Sequence, residues 1–160
     1  MFQLPGPKYK FANFDTFAEI PWDFKAHIRQ NPNGQQTRKV PGTDKWTTIQ
    51  AIKDYRAAGF LVGIGTAVFN GETRSFQLWH DKLKGGLSKY EIERISRGAP
   101  SRLRKTKFTL EEIWIIEMDE KLVARMPSFQ EGFRNADGSP RKAKVMLDLN
   151  IITPISKIIF

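Results

Sequence analysis

The chain lacks several features, and each absence excludes a class of protein. It has no cysteine, so disulfide bonds, thiol chemistry and zinc sites with cysteine ligands are excluded. It has no apolar run near the roughly 18 residues that span a bilayer, and its first residues lack the pattern of a signal peptide. Histidine occurs only twice, and neither residue has a partner at the spacing of a metal or triad motif. We therefore expect a cytoplasmic protein without membrane contact, cofactor or metal.

What the chain does contain is enough apolar surface for a folded core. Of its 160 residues 40% are hydrophobic and 27% are charged, and twelve Phe and four Trp supply large side chains to bury. This length suits one domain covering residues 1–160.

Positive and negative charges are separated along the chain between residues 82 and 120. The 26 residues from Lys82 to Lys107 hold nine basic side chains and two acids, and five acids then follow within ten positions. Such segregation creates a local positive field, which the net charge of +9 reinforces. The five acids are Glu111, Glu112, Glu117, Asp119 and Glu120.

This basic segment is the predicted nucleic-acid contact, because Arg and Lys neutralise phosphates and release counterions. The expected primary contacts are Lys89, Arg94, Arg97, Arg102, Arg104, Lys105 and Lys107. Residues 29–45 read as a long polar loop whose cations Arg38, Lys39 and Lys45 would assist. Tyr9 and Trp46, each beside a lysine, are the candidates for stacking on bases. The competing interpretation is that the five acids pair with these cations, within the protein or across a dimer.

Local signals predict three helices. Asp44 can cap a helix at about 45–58, and Gly59 suits the left-handed position that ends it. A capping box at Ser88–Glu91 predicts a helix at about 89–97, followed by Gly98. A second box beginning at Thr109 favours a helix over 110–123, although the β-forming residues of this stretch favour a strand instead.

The remaining signals predict strands. Residues 60–69 and 72–80 flank Asn70-Gly71, the preferred hairpin turn, in a register that places Gly63 opposite Leu78 and Gly65 opposite Phe76. Residues 143–150 alternate between apolar and polar, as a strand with one buried face does. The apolar tail 151–160 is either a docking segment or the last strand of the sheet.

The predicted fold class is α+β. We expect a single domain in which an antiparallel sheet carries two or three helices on one face. The alternative is a partly open β-barrel with appended helices.

Candidate catalytic patterns are weak. Gly63-Ile64-Gly65 lacks the third glycine and the following helix of a dinucleotide site. Asp15, Glu19 and Asp23 would share a helix face and could serve a metal-dependent nuclease, but Pro21 interrupts such a helix. The sequence therefore predicts no catalytic or metal-binding residue.

The leading hypothesis is a small, basic, non-enzymatic nucleic-acid-binding accessory protein, and a viral or mobile-element origin is compatible with it. The charge pattern suits DNA and RNA, and single and double strands, equally well. The first alternative is a protein-interaction module, such as an inhibitor, assembly factor or virion component, that docks or self-associates through its C-terminal tail. The second alternative is a metal-dependent nuclease.

Overall fold

The structure is a computed structural model that describes residues 14–69, 79, 82, 86, 89–98, 105–134 and 138–160. It is a mixed α+β fold in which strands predominate, which confirms the predicted class and is consistent with one domain. The strands are β1 (Thr16–Ala18), β2 (Ile20–Ile28), β3 (Lys39–Asp44), β4 (Ala58–Phe69), β5 (Lys105–Met118), β6 (Ser128–Phe129), β7 (Lys144–Asp148) and β8 (Ser156–Ile159). The helices are α1 (Lys45–Tyr55), α2 (Lys89–Ser96) and α3 (Glu120–Arg125).

The strands form two sheets. One has the order β1-β2-β4-β5-β8 and the other has the order β3-β7-β6. The predicted antiparallel sheet is wrong in one respect, because β2 and β4 pair in parallel. The chain between them forms β3 and α1, which gives the long crossover that a parallel pair requires. Neither sheet closes into a barrel within the described strands.

The hydrophobic core lies between the two sheets. The alternate residues Phe60 and Val62 of β4 face it, together with Ile116 of β5 and Leu147 of β7, and all four are fully buried. Helix α1 contacts both sheets and also contacts α3. The predicted strand at 143–150 is confirmed as β7, whose buried Val145 and Leu147 alternate as expected.

Helix α1 begins where the sequence predicts and ends earlier. The Asp44 carboxylate accepts a hydrogen bond from the Thr47 amide at 2.8 Å and so caps the first turn. The helix ends at Arg56, which adopts the left-handed conformation expected of Gly59. Gly59 lies in β4 beneath Trp22, and a Cβ at this position would come within 2.2 Å of the indole. Its role is therefore close packing rather than helix termination.

The predicted hairpin register is wrong. Gly63 pairs with Ala26 of β2 and with Ile113 of β5, so both edges of β4 are occupied at this point. The preference of the turn is local, whereas β4 pairs with β5 along its whole length, and the longer ladder determines the register. Trp79 is helical, contrary to the predicted strand, and the turn itself lies outside the described residues.

The favoured helix over 110–123 is also wrong, because these residues form most of β5 and the start of α3. Trp114, Ile116 and Met118 are buried at alternate positions, so the β-forming composition outweighs the capping box. The helix begins instead after Asp119, whose carboxylate accepts from the Leu122 amide at 2.7 Å. Helix α2 confirms the helix predicted at about 89–97, and Gly98 follows it with a φ of 63°, whereas Ser88 of the capping box lies outside the described residues.

The C-terminal tail pairs with the sheet. Strand β8 runs antiparallel to β5, with Ile158 opposite Ile113. This result confirms the interpretation of the tail as a last strand. None of the helices in the described part of the chain is long and apolar enough to cross a membrane.

Candidate anion-binding cleft

A β-bulge in β5 positions two glutamate side chains of the site. Ile64 pairs with Glu112 whereas its neighbour Gly65 pairs with Leu110, so Glu111 is an extra residue in the strand. A bulge re-aims side chains that would otherwise alternate between the two faces. Both carboxylates consequently reach Arg29 at the end of β2, which donates from Nε to Glu111 Oε2 at 2.6 Å and from Nη2 to Glu112 Oε1.

Further contacts hold this cluster in place. The Trp114 indole N–H donates to Glu112 Oε2 at 2.7 Å, and the Lys157 ammonium lies 4.1 Å from the centre of the Trp114 ring. The bond from Trp114, followed by that from Arg29, lowers the pKa of Glu112. The bonds from Glu111 and Glu112 raise the pKa of Arg29. Glu112 is therefore ionised at neutral pH, and both glutamates are bonded to Arg29.

The ion pairs of the structure bear on the alternative hypothesis that the five following acids pair with the cations of the basic segment. The ion pairs among the described residues are Lys25–Asp23, Arg29–Glu111 and Arg29–Glu112. None of them involves Arg97, Lys105 or Lys107. The acids that follow the basic segment therefore form no ion pair with its described cations Arg97, Lys105 and Lys107.

A cleft lies beside this cluster, where β2 ends and the chain turns towards β3. Its volume is about 190 Å³. The residues that line it are polar or basic apart from two aliphatic side chains: His27, Arg29, Gln30, Gln36, Thr37, Arg38, Ile64, Thr66 and Leu149. Residues 29–38 are only the first part of the predicted 29–45 loop, because Lys39–Asp44 forms β3.

His27 forms the buried wall of the cleft. It is 7% exposed, and its Nε2 lies 2.9 Å from the Thr37 carbonyl oxygen, to which it donates when protonated there. Burial lowers the pKa of His27, and the positive charges of Lys105 and Arg38 lower it further. Both cations are therefore close enough to act on the imidazole. The fold thus brings a cation of the predicted loop and a cation of the predicted basic segment to one site.

The other predicted cations lie at different places. Lys39 is exposed on β3, whereas the Lys45 ammonium donates to Ser128 Oγ at 2.7 Å. Arg97 follows α2 and donates from Nε to the Glu93 carbonyl at 3.1 Å. Trp46, at the start of α1, is 71% exposed, as its predicted stacking role requires.

Some predicted site residues are not tested by the structure. Tyr9, Arg102 and Arg104 lie outside the described residues. Lys89 and Arg94 belong to α2, of which only the backbone is described at these positions.

Sequence reasoning missed the role of His27, for which it found no metal or triad partner. The alternation of β2 could not have revealed it, because apolar residues such as Trp22 and Phe24 lie on the opposite face of the strand from the buried Pro21, Asp23 and His27. The glycines of Gly63-Ile64-Gly65 lie inside β4, and this placement removes any phosphate-binding turn.

The candidate acids for a nuclease are separated by the β1–β2 turn rather than aligned on a helix. Glu19 lies in the turn with a φ of 63°, and Asp15 and Asp23 lie on opposite sides of it. In the described part of the chain, no group of three or more His, Asp or Glu side chains is arranged to hold a metal.

Comparison with known proteins adds no identity: no family model, no curated protein and no solved structure matches this chain.

Proposed function

We propose that this protein binds nucleic acid by its phosphates, at the cleft between the end of β2 and the 29–38 turn, with the start of β5 as a neighbouring source of positive charge. The observation that supports this function is that Arg38 lines the cleft and that the charge of Lys105 also lowers the pKa of His27 in its wall, with no carboxylate bonded to either cation among the described residues. Lys107 is exposed two residues along the same strand and extends the positive surface.

The cleft offers two kinds of contact to a phosphate. Arg38 and Lys105 supply positive charge, and the counterions that they release on binding drive association without reading sequence. Gln36 and Thr37 line the same cleft and supply neutral donors that can orient phosphate oxygens. Contacts of this kind give tight binding at low salt with modest sequence preference, which suits a non-enzymatic accessory role.

Three of the predicted contacts lie outside the cleft and are exposed to solvent. Lys39 and Arg97 are exposed and can follow a longer nucleic-acid strand. Trp46 offers an aromatic face for stacking on an unpaired base.

The test is a titration of labelled single- and double-stranded DNA and RNA at several salt concentrations. The variant Arg38→Ala/Lys105→Ala/Lys107→Ala removes three cations. We expect it to bind about 30-fold more weakly at low salt and to lower the salt slope by about 2 to 3. The matched control, Lys53→Ala/Lys121→Ala/Arg125→Ala, removes the same charge from exposed positions on α1 and α3 and should change affinity by less than about threefold.

Two results would overturn this assignment. The first is the absence of binding at every salt concentration. The second is an equal loss in the test and control variants, which would show that overall charge rather than the cleft attracts the nucleic acid.

A second function, self-association through the C-terminal strand, is favoured by a different observation. Strand β8 is an edge of the five-stranded sheet, and the side chains of Ile159 and Phe160 are 77% and 70% exposed. An exposed apolar edge strand is a template for pairing with another chain. Sedimentation should show a dimer for the unaltered protein and a monomer for Ile159→Asp/Phe160→Ser. A monomer in both cases would remove this candidate.

A further inference from the structure

A second cavity lies between the end of α1 and the start of α3. Its volume is about 410 Å³, which falls within the range of sites that hold small organic molecules. Three aliphatic and five charged side chains line it. The volume and the mixed lining together suit a small molecule that has an apolar part and a charged part.

The bottom of this cavity is apolar. Ile52 of α1 and Val123 of α3 are each 7% exposed, and the half-buried Ile49 packs against the same hydrophobic core. These three side chains form an apolar floor on which an aliphatic chain can lie. Contact with the floor removes CH₂ groups from water, so it favours ligands with a longer aliphatic part.

The cavity has a cationic rim, formed by three exposed side chains. Lys53 lies in the last turn of α1, Arg56 ends that helix, and Lys121 lies in the first turn of α3. None of the ion pairs among the described residues involves any of the three. An anionic group at the rim therefore meets cations without displacing a carboxylate of the protein.

Two acids also line the cavity, and they do not cancel the cationic rim. The Asp119 carboxylate accepts from the Leu122 amide at 2.7 Å, so one of its oxygens is used to cap α3. Glu120 is exposed and enters no ion pair among the described residues. Three cations against two acids leave the lining with a net charge of +1. This balance favours a monoanion over a neutral molecule or a cation.

Arg56 ends α1 in a left-handed backbone conformation. Its φ of 72° and ψ of −20° belong to the region that glycine adopts at the lowest cost where a helix ends. Replacement of Arg56 by glycine therefore removes the guanidinium group and relieves the backbone at the same time. The role of this cation in binding can thus be tested without destabilising the helix.

We propose that this cavity binds an aliphatic carboxylate of medium chain length, such as octanoate, with its chain on the apolar floor and its carboxylate at the cationic rim. The site is separate from the anion-binding cleft. Ala58 of β4 pairs with Met118, which precedes the cavity residue Asp119, whereas Ile64 of β4 lines the cleft. Ala58 and Ile64 are about 20 Å apart at the rise of a strand, so the two sites lie at opposite ends of the sheet.

Isothermal titration calorimetry with octanoate tests this site. We expect one molecule bound per chain, with a dissociation constant of about 1 mM or less, and an affinity that rises about threefold for each CH₂ added from hexanoate to decanoate. The comparison ligands 1-octanol and octylammonium have the same chain length and lack the negative charge. Each should bind at least about fivefold more weakly than octanoate.

The variants test the cationic rim. Arg56→Gly should weaken octanoate binding by about fivefold or more without lowering the melting temperature, whereas Arg56→Lys keeps the charge and should retain most of the affinity. The matched control is Arg125→Ala, at an exposed arginine of α3 outside the cavity lining, and it should leave the affinity unchanged. Glu120→Gln removes a negative charge from the rim and should strengthen binding.

Three results would overturn the carboxylate site. They are the absence of saturable octanoate binding by the unaltered protein, equal affinity for octanoate and 1-octanol, and equal affinity of Arg56→Gly and Arg125→Ala for octanoate. The cleft variant Arg38→Ala/Lys105→Ala/Lys107→Ala should bind octanoate normally. This site and the proposed nucleic-acid contact can therefore fail independently of each other.

Discussion

Three cations, Arg29, Arg38 and Lys105, lie at the same end of the five-stranded sheet and differ in whether carboxylates neutralise them. Arg29 is bonded to two glutamates, one of which is also bonded to Trp114. Arg38, which lines the cleft with Arg29, and Lys105 have no carboxylate bonded to them among the described residues. Local neutralisation therefore compensates the charge of Arg29, whereas no described carboxylate compensates that of Arg38 or Lys105.

The difference between these cations originates in the backbone. The extra residue at the β5 bulge turns Glu111 and Glu112 towards the end of β2 and away from the start of their own strand. The acids closest in sequence to Lys105 and Lys107 are thereby bound elsewhere. Separation of charge along the sequence consequently persists as separation in space.

The largest effect on this comparison should come from Gly65, which lies at the bulge. A Cβ at this position would come within 2.0 Å of the Thr109 carbonyl oxygen, so Gly65→Ala must displace backbone and disrupt the bulge. We expect a loss of about 3 kcal/mol or more in the free energy of unfolding, measured by urea denaturation. Gly63→Ala is the control, because its nearest contact is the flexible Leu110 side chain at 3.0 Å. Equal losses in the two variants would show that the bulge carries no special constraint.

A smaller loss should follow from removing the charge of Arg29. In Arg29→Gln the two glutamates remain side by side without their cation, and we expect a destabilisation of about 1 to 2 kcal/mol at pH 7, since these side chains are about one-third exposed or less. The folded protein holds the pKa of Glu112 below its usual value, so its contribution to stability is present above about pH 4.5 and is lost as the pH falls through the folded value. The variant should therefore differ less from the unaltered protein at pH 3 than at pH 7. A difference independent of pH would contradict the electrostatic account.

The elements that sequence alone predicts are those with local causes. Asp44 caps α1, Gly98 follows α2, and alternation defines β7, because each signal lies within a few residues of the element that it controls. Strand β5 is different, since the apparent capping residue Glu112 uses its carboxylate on Trp114 and Arg29. Long-range pairing overrides the local signal there.

The candidate site likewise has residues that the sequence predicts and an arrangement that it does not predict. Composition and charge identify Arg38 and Lys105 as candidates, because a surface cation is visible in the sequence. Their convergence on His27 depends on the pairing of β2, β4 and β5, and this pairing joins segments far apart in the chain. The bulge that directs the two glutamates to Arg29 is likewise a product of register rather than of residue type.

Nucleic-acid binding should become stronger when Arg29 is freed from its bonds to Glu111 and Glu112. The double variant Glu111→Gln/Glu112→Gln removes two negative charges beside the cleft and leaves Arg29 available to phosphate. We expect affinity at low salt to rise about fivefold, and the salt slope to steepen by about 1, while stability falls. Glu117→Gln/Glu120→Gln removes the same charge from exposed positions on β5 and α3 and serves as the control. Unchanged or weaker binding would show that Arg29 lies outside the nucleic-acid contact.

The smallest expected effect is a dependence of binding on pH through His27. Its pKa in the free protein lies below 6.5 because burial and the nearby cations disfavour the charged imidazolium. This shift costs stability as the pH falls below 6.5, since the unfolded chain then binds the proton more readily. A phosphate in the cleft would favour the charged form and raise the pKa again, so binding takes up a proton and strengthens as the pH falls.

An upward shift of half a unit would make binding at most about threefold tighter at a pH well below both pKa values than at pH 7.5. Fluorescence anisotropy at fixed ionic strength measures this change, and His27→Gln should abolish it while retaining a donor towards the Thr37 carbonyl. Asp23 also titrates near pH 6, but it is present in both proteins, and the comparison therefore cancels its contribution. If the two proteins show the same dependence, His27 does not sense the bound phosphate, and the unpaired cations act on the polyanion without it.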